Sequence, residues 1–71
     1  MPHIVIKLYP GRSETVKKEL AEKTVCFFEK EMNADRKFFS VSVEEIPPEQ
    51  WEDEVIKKVS DKNLYIKANF K

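Results

Sequence analysis

Proline follows the initiator methionine, and a proline in that position is a latent base. Methionine aminopeptidase removes Met1 when the next side chain is small, and proline qualifies. Removal leaves Pro2 as a secondary amine at the chain terminus. An α-amino group titrates at about 7.7–8.0. Partial desolvation disfavours its cation and lowers that value. The result is a neutral amine near physiological pH, suited to proton abstraction. If Met1 is retained, the Pro2 nitrogen is an amide and has no basicity. A second group with chemistry is Arg12, next to Ser13 at the expected start of a helix. A cation is disfavoured by the helix dipole there, so Arg12 calls for a role other than helix stability.

The elements that position these groups follow from the apolar pattern. Ile4, Ile6 and Leu8 alternate with His3, Val5, Lys7 and Tyr9, which predicts a strand over 2–9. Pro10-Gly11 suits a type II turn, with the chain's one glycine supplying a positive φ. Ser13 then offers an N-cap oxygen to a helix over 14–32. Val16, Leu20, Thr24, Phe27, Phe28 and Met32 form its expected apolar face, with Val25 and Cys26 off the stripe. Phe27 and Phe28 read as core, and Cys26 as a small buried side chain. A polar loop over 33–37 leads to a second strand over 38–46, where Phe39, Val41 and Val43 alternate with Ser40, Ser42 and Glu44.

Strand, long helix, strand makes a β-α-β unit of the α/β (α+β) class with parallel strands. Trp51, Val55 and Val59 recur every four residues, with acids before Lys57 and Lys58, so a short helix over about 48–59 is expected. Residues 60–71 read as a tail that forms an edge strand or stays loose. His3 neighbours Pro2 but points to the opposite face of the strand, a packing position.

Composition bounds the rest. Seventy-one residues make one domain, 1–71, with its core over about 2–59. Thirteen basic residues balance thirteen acidic ones, which argues against nucleic-acid or acidic-membrane partners. One cysteine and one histidine leave no disulfide and no metal-ligand pair. No apolar run spans a bilayer, and the lone thiol without an export signal suits the cytoplasm. A chain this short builds little core. One uncovered sheet face and open strand edges invite a second copy. A homo-oligomer is expected, a dimer before a hexamer.

The Met-Pro start, the Gly11-Arg12-Ser13 turn, the amphipathic helix and the Ser40-Val41-Ser42-Val43-Glu44-Glu45 strand together resemble the 4-oxalocrotonate tautomerase family. Pro47-Pro48-Glu49-Gln50-Trp51 is similar to its small bacterial branch, and the resemblance covers residues 2–56. It implies cofactor-free keto–enol tautomerisation of small 2-oxo or 2-hydroxy-enoic acids. It assigns the catalytic base to Pro2, carboxylate binding to Arg12 and a pocket wall to Trp51. Family members carry a second arginine within the second strand, where this chain has Ser40; Arg36, in the preceding loop, is a weaker candidate for that place. The departure favours a monocarboxylate over a diacid. The tail lacks the glycine-rich hairpin of hexameric members, which again favours a dimer. Without catalysis, the same scaffold would serve as an oligomeric interaction module.

Overall fold

The computed structural model describes residues 1–69. Strand β1 (His3–Leu8) leads into helix α1 (Glu14–Met32), and strand β2 (Ser40–Glu45) returns parallel to β1. His3 pairs with Ser40 and Leu8 with Glu45, without a bulge between them. The β-α-β unit is therefore as the sequence predicts, with both strands one or two residues shorter than their patterns at each end.

Local chemistry explains the corners. Gly11 has φ 124°, a region that L side chains rarely enter, and its N–H donates to Glu45 Oε2 at 3.2 Å. Ser13 Oγ accepts from the Val16 N–H at 3.2 Å, as an N-cap should. Asn33 ends α1 in the left-handed conformation (φ 49°), with its N–H turned back to the Glu29 carbonyl. Asp35 Oδ1 accepts from the Lys37 N–H at 2.9 Å and starts a 3₁₀ turn over Arg36–Phe38.

Helix α1 covers the face of the sheet that carries Val41 and Val43: Ala21 and Val25 share a cavity with Phe39 and Val41, and Lys17 and Ala21 share another with Val43. The helix is rotated relative to its expected stripe. Val25, expected off the apolar face, is one of the two buried hydrophobic residues among those described, with Ile46 the other. Val16, Phe27 and Met32 are exposed, and so is Cys26, contrary to its expected burial. Phe28 is half-buried and meets Phe39 edge-on, with ring centroids 6.0 Å apart. The sheet is only two strands wide, so it covers a narrow strip of helix centred on Ala21, Val25 and Phe28. The wider stripe has nothing among the described residues to pack against.

The expected helix over 48–59 is broken into a 3₁₀ turn at Pro48–Gln50, a single α-turn α2 (Trp51–Glu54) and a second 3₁₀ turn at Ile56–Lys58. Lys7 Nζ donates to the Glu54 carbonyl at 2.9 Å, which a continuous helix would offer to the Lys58 N–H. Lys58 N–H donates to the Val55 carbonyl instead, at 3.2 Å. Val55 leaves helical geometry at φ −122°, ψ −63°. This segment lies over the other face of the sheet, where Val55, Lys58 and Val59 border a cavity with Val5 and Lys7. It partly covers the face that the sequence left open. Beyond it, Asp61–Asn63 make one more 3₁₀ turn and no strand follows among the described residues; Phe70, at the end of the expected edge strand, lies outside them.

Candidate active site

Parallel strands put all amino ends on one side, and the candidate residues divide between the two sides. Pro2 precedes β1, is half-buried, and its carbonyl accepts from the Ser40 N–H at 3.2 Å. This extra ladder bond extends the sheet to Pro2 and holds the backbone of the residue next to Met1. Met1 itself is 99% exposed, within reach of a peptidase. Successive strand residues alternate faces, so Pro2 shares the α1 face with Ile4, and Ile4 pairs with Val41.

His3 points the other way, as expected, but it does more than pack. Its Nδ1 lies 2.6 Å from Ser40 Oγ and its Nε2 lies 3.5 Å from Ser42 Oγ, so one imidazole ties β1 to two positions of β2. The spacing of Ser40 and Ser42 showed that they share a face. Only the parallel register placed His3 opposite them.

Arg12 and Trp51 occupy the carboxyl end. Arg12 Nη1 donates to the Tyr9 carbonyl at 3.1 Å. The guanidinium is exposed and forms no ion pair among the described residues. Nearby acids are already engaged: Glu14 with Lys17 at 3.1 Å, and Glu45 with Lys17 at 3.5 Å and with the Gly11 N–H. The hydrogen bond to Glu14 raises the Lys17 pKa, and the two carboxylate charges act in the same direction. Arg12 is thus left able to take an external carboxylate. Trp51 meets Tyr9 in a T-shaped contact, centroids 4.9 Å apart and planes at 88°. Tyr9 is a packing partner of Trp51 that sequence reasoning missed. Its aromatic character at a strand end was legible, but its pairing with Trp51 needed the fold of the 47–59 segment.

Arg12 and Trp51 therefore come together through Tyr9, whereas Pro2 stands apart. Pro2 and Tyr9 are seven residues apart along an extended chain (9 − 2 = 7), about 23 Å. One copy of this chain does not bring Pro2 and Arg12 into one pocket.

Comparison with known proteins agrees with this architecture. The family model for tautomerase enzymes matches residues 2–61, so the chain belongs to the tautomerase family. A probable tautomerase of Xylella fastidiosa is 36% identical over 55 residues, covering 78% of this chain and 67% of the relative. Tautomerase PptA of Pectobacterium atrosepticum is 41% identical over 56 residues, covering 78% and 74%. Among solved structures, TomN, a 4-oxalocrotonate tautomerase homologue of the tomaymycin biosynthetic pathway, superposes with a TM-score of 0.67 at 32% identity, over 70% of this chain and 77% of that one. The protein is an enzyme of the tautomerase class, an isomerase on a β-α-β scaffold. No helix among its described residues is long and apolar enough to cross a membrane.

Proposed function

We propose that Pro2, freed of Met1, is the general base of a cofactor-independent tautomerase acting on small 2-oxo or 2-hydroxy-enoic acids. The observation that carries this reading is the division of the candidate residues. A half-buried Pro2 is fixed at one end of the sheet; at the other, Arg12, without an ion-pair partner among the described residues, is held to the carbonyl of Tyr9, whose ring meets Trp51.

Two copies related by a two-fold axis, with their sheets joined edge to edge, run adjacent strands antiparallel. That arrangement sets the Pro2 end of one copy against the Arg12 and Trp51 end of the next. It also relieves a thin core, since Val25 and Ile46 are the only buried hydrophobic residues among those described. We take a dimer as the smallest competent unit, and a hexamer built from such dimers satisfies the same geometry.

The proton path is short. Neutral Pro2 nitrogen accepts the proton of an enol hydroxyl, or of the carbon next to a ketone, and becomes a cation. The electrons left behind delocalise over the conjugated system. Pro2 then returns the same proton to another carbon, so nothing is consumed. Arg12 of the neighbouring copy pairs with the carboxylate through two parallel N–H donors, a geometry lysine does not reproduce. Its charge stabilises the dienolate and helps keep Pro2 deprotonated. Trp51 and Tyr9 wall the diene off from water.

The test is turnover of phenylpyruvate enol and 2-hydroxymuconate, followed by absorbance, on protein whose mass shows that Met1 is gone. Pro2→Ala should lower kcat/KM by about a hundredfold or more. The wild-type rate should rise with pH as the amine loses its proton, with a midpoint below the ordinary α-amino range of about 7.7–8.0. Equal rates for wild type and Pro2→Ala, or a native chain that keeps Met1, would leave a non-catalytic interaction module as the surviving reading.

A further inference from the structure

Two carboxylates flank Arg12, yet neither pairs with it. Glu14 follows two residues later, at the start of α1. Glu45, at the end of β2, places Oε2 3.2 Å from the nitrogen of Gly11, the residue before Arg12. Both acids are held by Lys17 instead. Its Nζ lies 3.1 Å from Glu14 Oε1 and 3.5 Å from Glu45 Oε1. With the Gly11 N–H on Oε2, each oxygen of Glu45 has a partner. The chain's other arginine shows what an exposed guanidinium does beside an available acid: Arg36 Nη2 donates to both oxygens of Glu22, at 3.0 and 3.1 Å.

We propose that Lys17 is a positioning residue for the tautomerase: by neutralising Glu14 and Glu45, it keeps Arg12 open to the substrate carboxylate. The inference rests on the reading of Arg12 as the carboxylate-binding group. Lys17 lies at the end of the first turn of α1, where the helix dipole does not favour a cation, so its place calls for a reason beyond helix stability. Its side chain is only 19% exposed and borders a cavity with Ala21 and Val43, whereas the Glu14 side chain is 76% exposed. The ammonium is thus held by packing, and a partly buried charge is screened less by salt than a free one. The hydrogen bond to Glu14, ahead of the two carboxylate charges, raises the Lys17 pKa, so the cation persists at neutral and mildly alkaline pH.

Glu45 also serves the turn. Its bond to Gly11, which sits at φ 124°, ties the segment that carries Arg12 to the end of β2. Lys17 therefore holds Glu45 against the turn and away from the guanidinium. Without Lys17, the two acids become internal competitors of the substrate. Such a competitor raises KM and leaves kcat alone, since saturating substrate displaces it.

Sorbate, an unreactive conjugated monocarboxylate, reports on Arg12 without turnover. Calorimetry on the full-length, Met1-free protein should show sorbate bound roughly three- to fivefold more weakly by Lys17→Met, the scale of one exposed ion pair. KM for phenylpyruvate enol should rise by the same factor with kcat unchanged. Lys17→Arg should bind as the wild type does. Adding Glu14→Gln and Glu45→Gln to Lys17→Met should restore wild-type affinity, because an amide at position 45 still accepts from Gly11 and no longer attracts Arg12. Removing two acids would not undo a mere loss of packing. Wild-type affinity in folded Lys17→Met, or a triple variant no tighter than Lys17→Met, would overturn the role of Lys17. Where Lys17→Met does not fold, the triple variant decides: wild-type affinity supports the role, and weaker binding overturns it. Arg12→Gln should lose most of the sorbate affinity. No binding by the wild type, or an Arg12→Gln chain that binds equally well, would sink the reading of Arg12 and this inference with it. A loss in Arg12→Gln beside an unchanged Lys17→Met would sink this inference alone.

Discussion

The two ends of the sheet are built from different chemistry. At the amino end the polar groups are largely matched within the chain: Pro2 carbonyl to Ser40 N–H, His3 to Ser40 and Ser42, Arg36 to Glu22. At the carboxyl end the aromatic pair Tyr9 and Trp51 is packed, but among the described residues Arg12 bonds only to a backbone carbonyl. One end holds a candidate base in place, and the other holds an unneutralised cation. Neither is a site alone. The distance between them is fixed by the rise of a strand and cannot be closed by a side-chain rotation. On the proposed reading, one event, pairing with another copy, would supply this β-α-β unit with both its missing core and its complete pocket.

The largest expected effect is the loss of turnover in Pro2→Ala, which would show that the amino end carries the chemistry. A sharper test mixes the two ends. Pro2→Ala and Arg12→Gln chains, each nearly inactive, should regain about a quarter of wild-type activity when refolded together, because half of random dimers are mixed and each mixed dimer has one intact site. Activity that never exceeds the sum of the separate variants would place base and arginine in one chain and break the comparison.

A smaller effect is expected at the carboxyl end from Lys7→Met. Losing the ammonium bond to the Glu54 carbonyl should cost about 1–2 kcal/mol and lower Tm by several degrees. Trp51 fluorescence should shift to the red as α2 loosens from Tyr9. An unchanged Tm would mean that the break after α2 does not depend on Lys7.

The smallest effect concerns the amino end in acid. Arg36 lowers the Glu22 pKa in the folded state. The stabilisation is therefore present above the unfolded carboxylate range and is lost as pH falls through the lowered folded value. Glu22→Gln should remove this modest acid-side dependence of Tm and leave the neutral-pH value nearly as it was. A steeper acid loss in Glu22→Gln would contradict the assigned pairing.

Much of this was legible along the chain. Ser13 as a cap, Gly11 at positive φ, the bounds of α1 and the alternation of both strands all depend on neighbours within a few residues. Three readings fell short for one shared reason. The buried side of α1, the broken 48–59 helix and the position of Tyr9 are set by contacts across the fold. Val25 is buried because a two-stranded sheet touches only a narrow strip of helix. At Glu54, where α2 ends, the carbonyl accepts from Lys7, 47 residues earlier.

The sequence by itself determined the order of elements, the parallel unit and the residue types able to move a proton and bind a carboxylate. Those are consequences of period, capping and side-chain chemistry, which are local. The tertiary structure decided which of those residues share an end of the sheet. Strand direction and register set Pro2 beside Ser40 at one end of the sheet and carry it away from Arg12 at the other, and contacts between positions far apart in sequence set that arrangement.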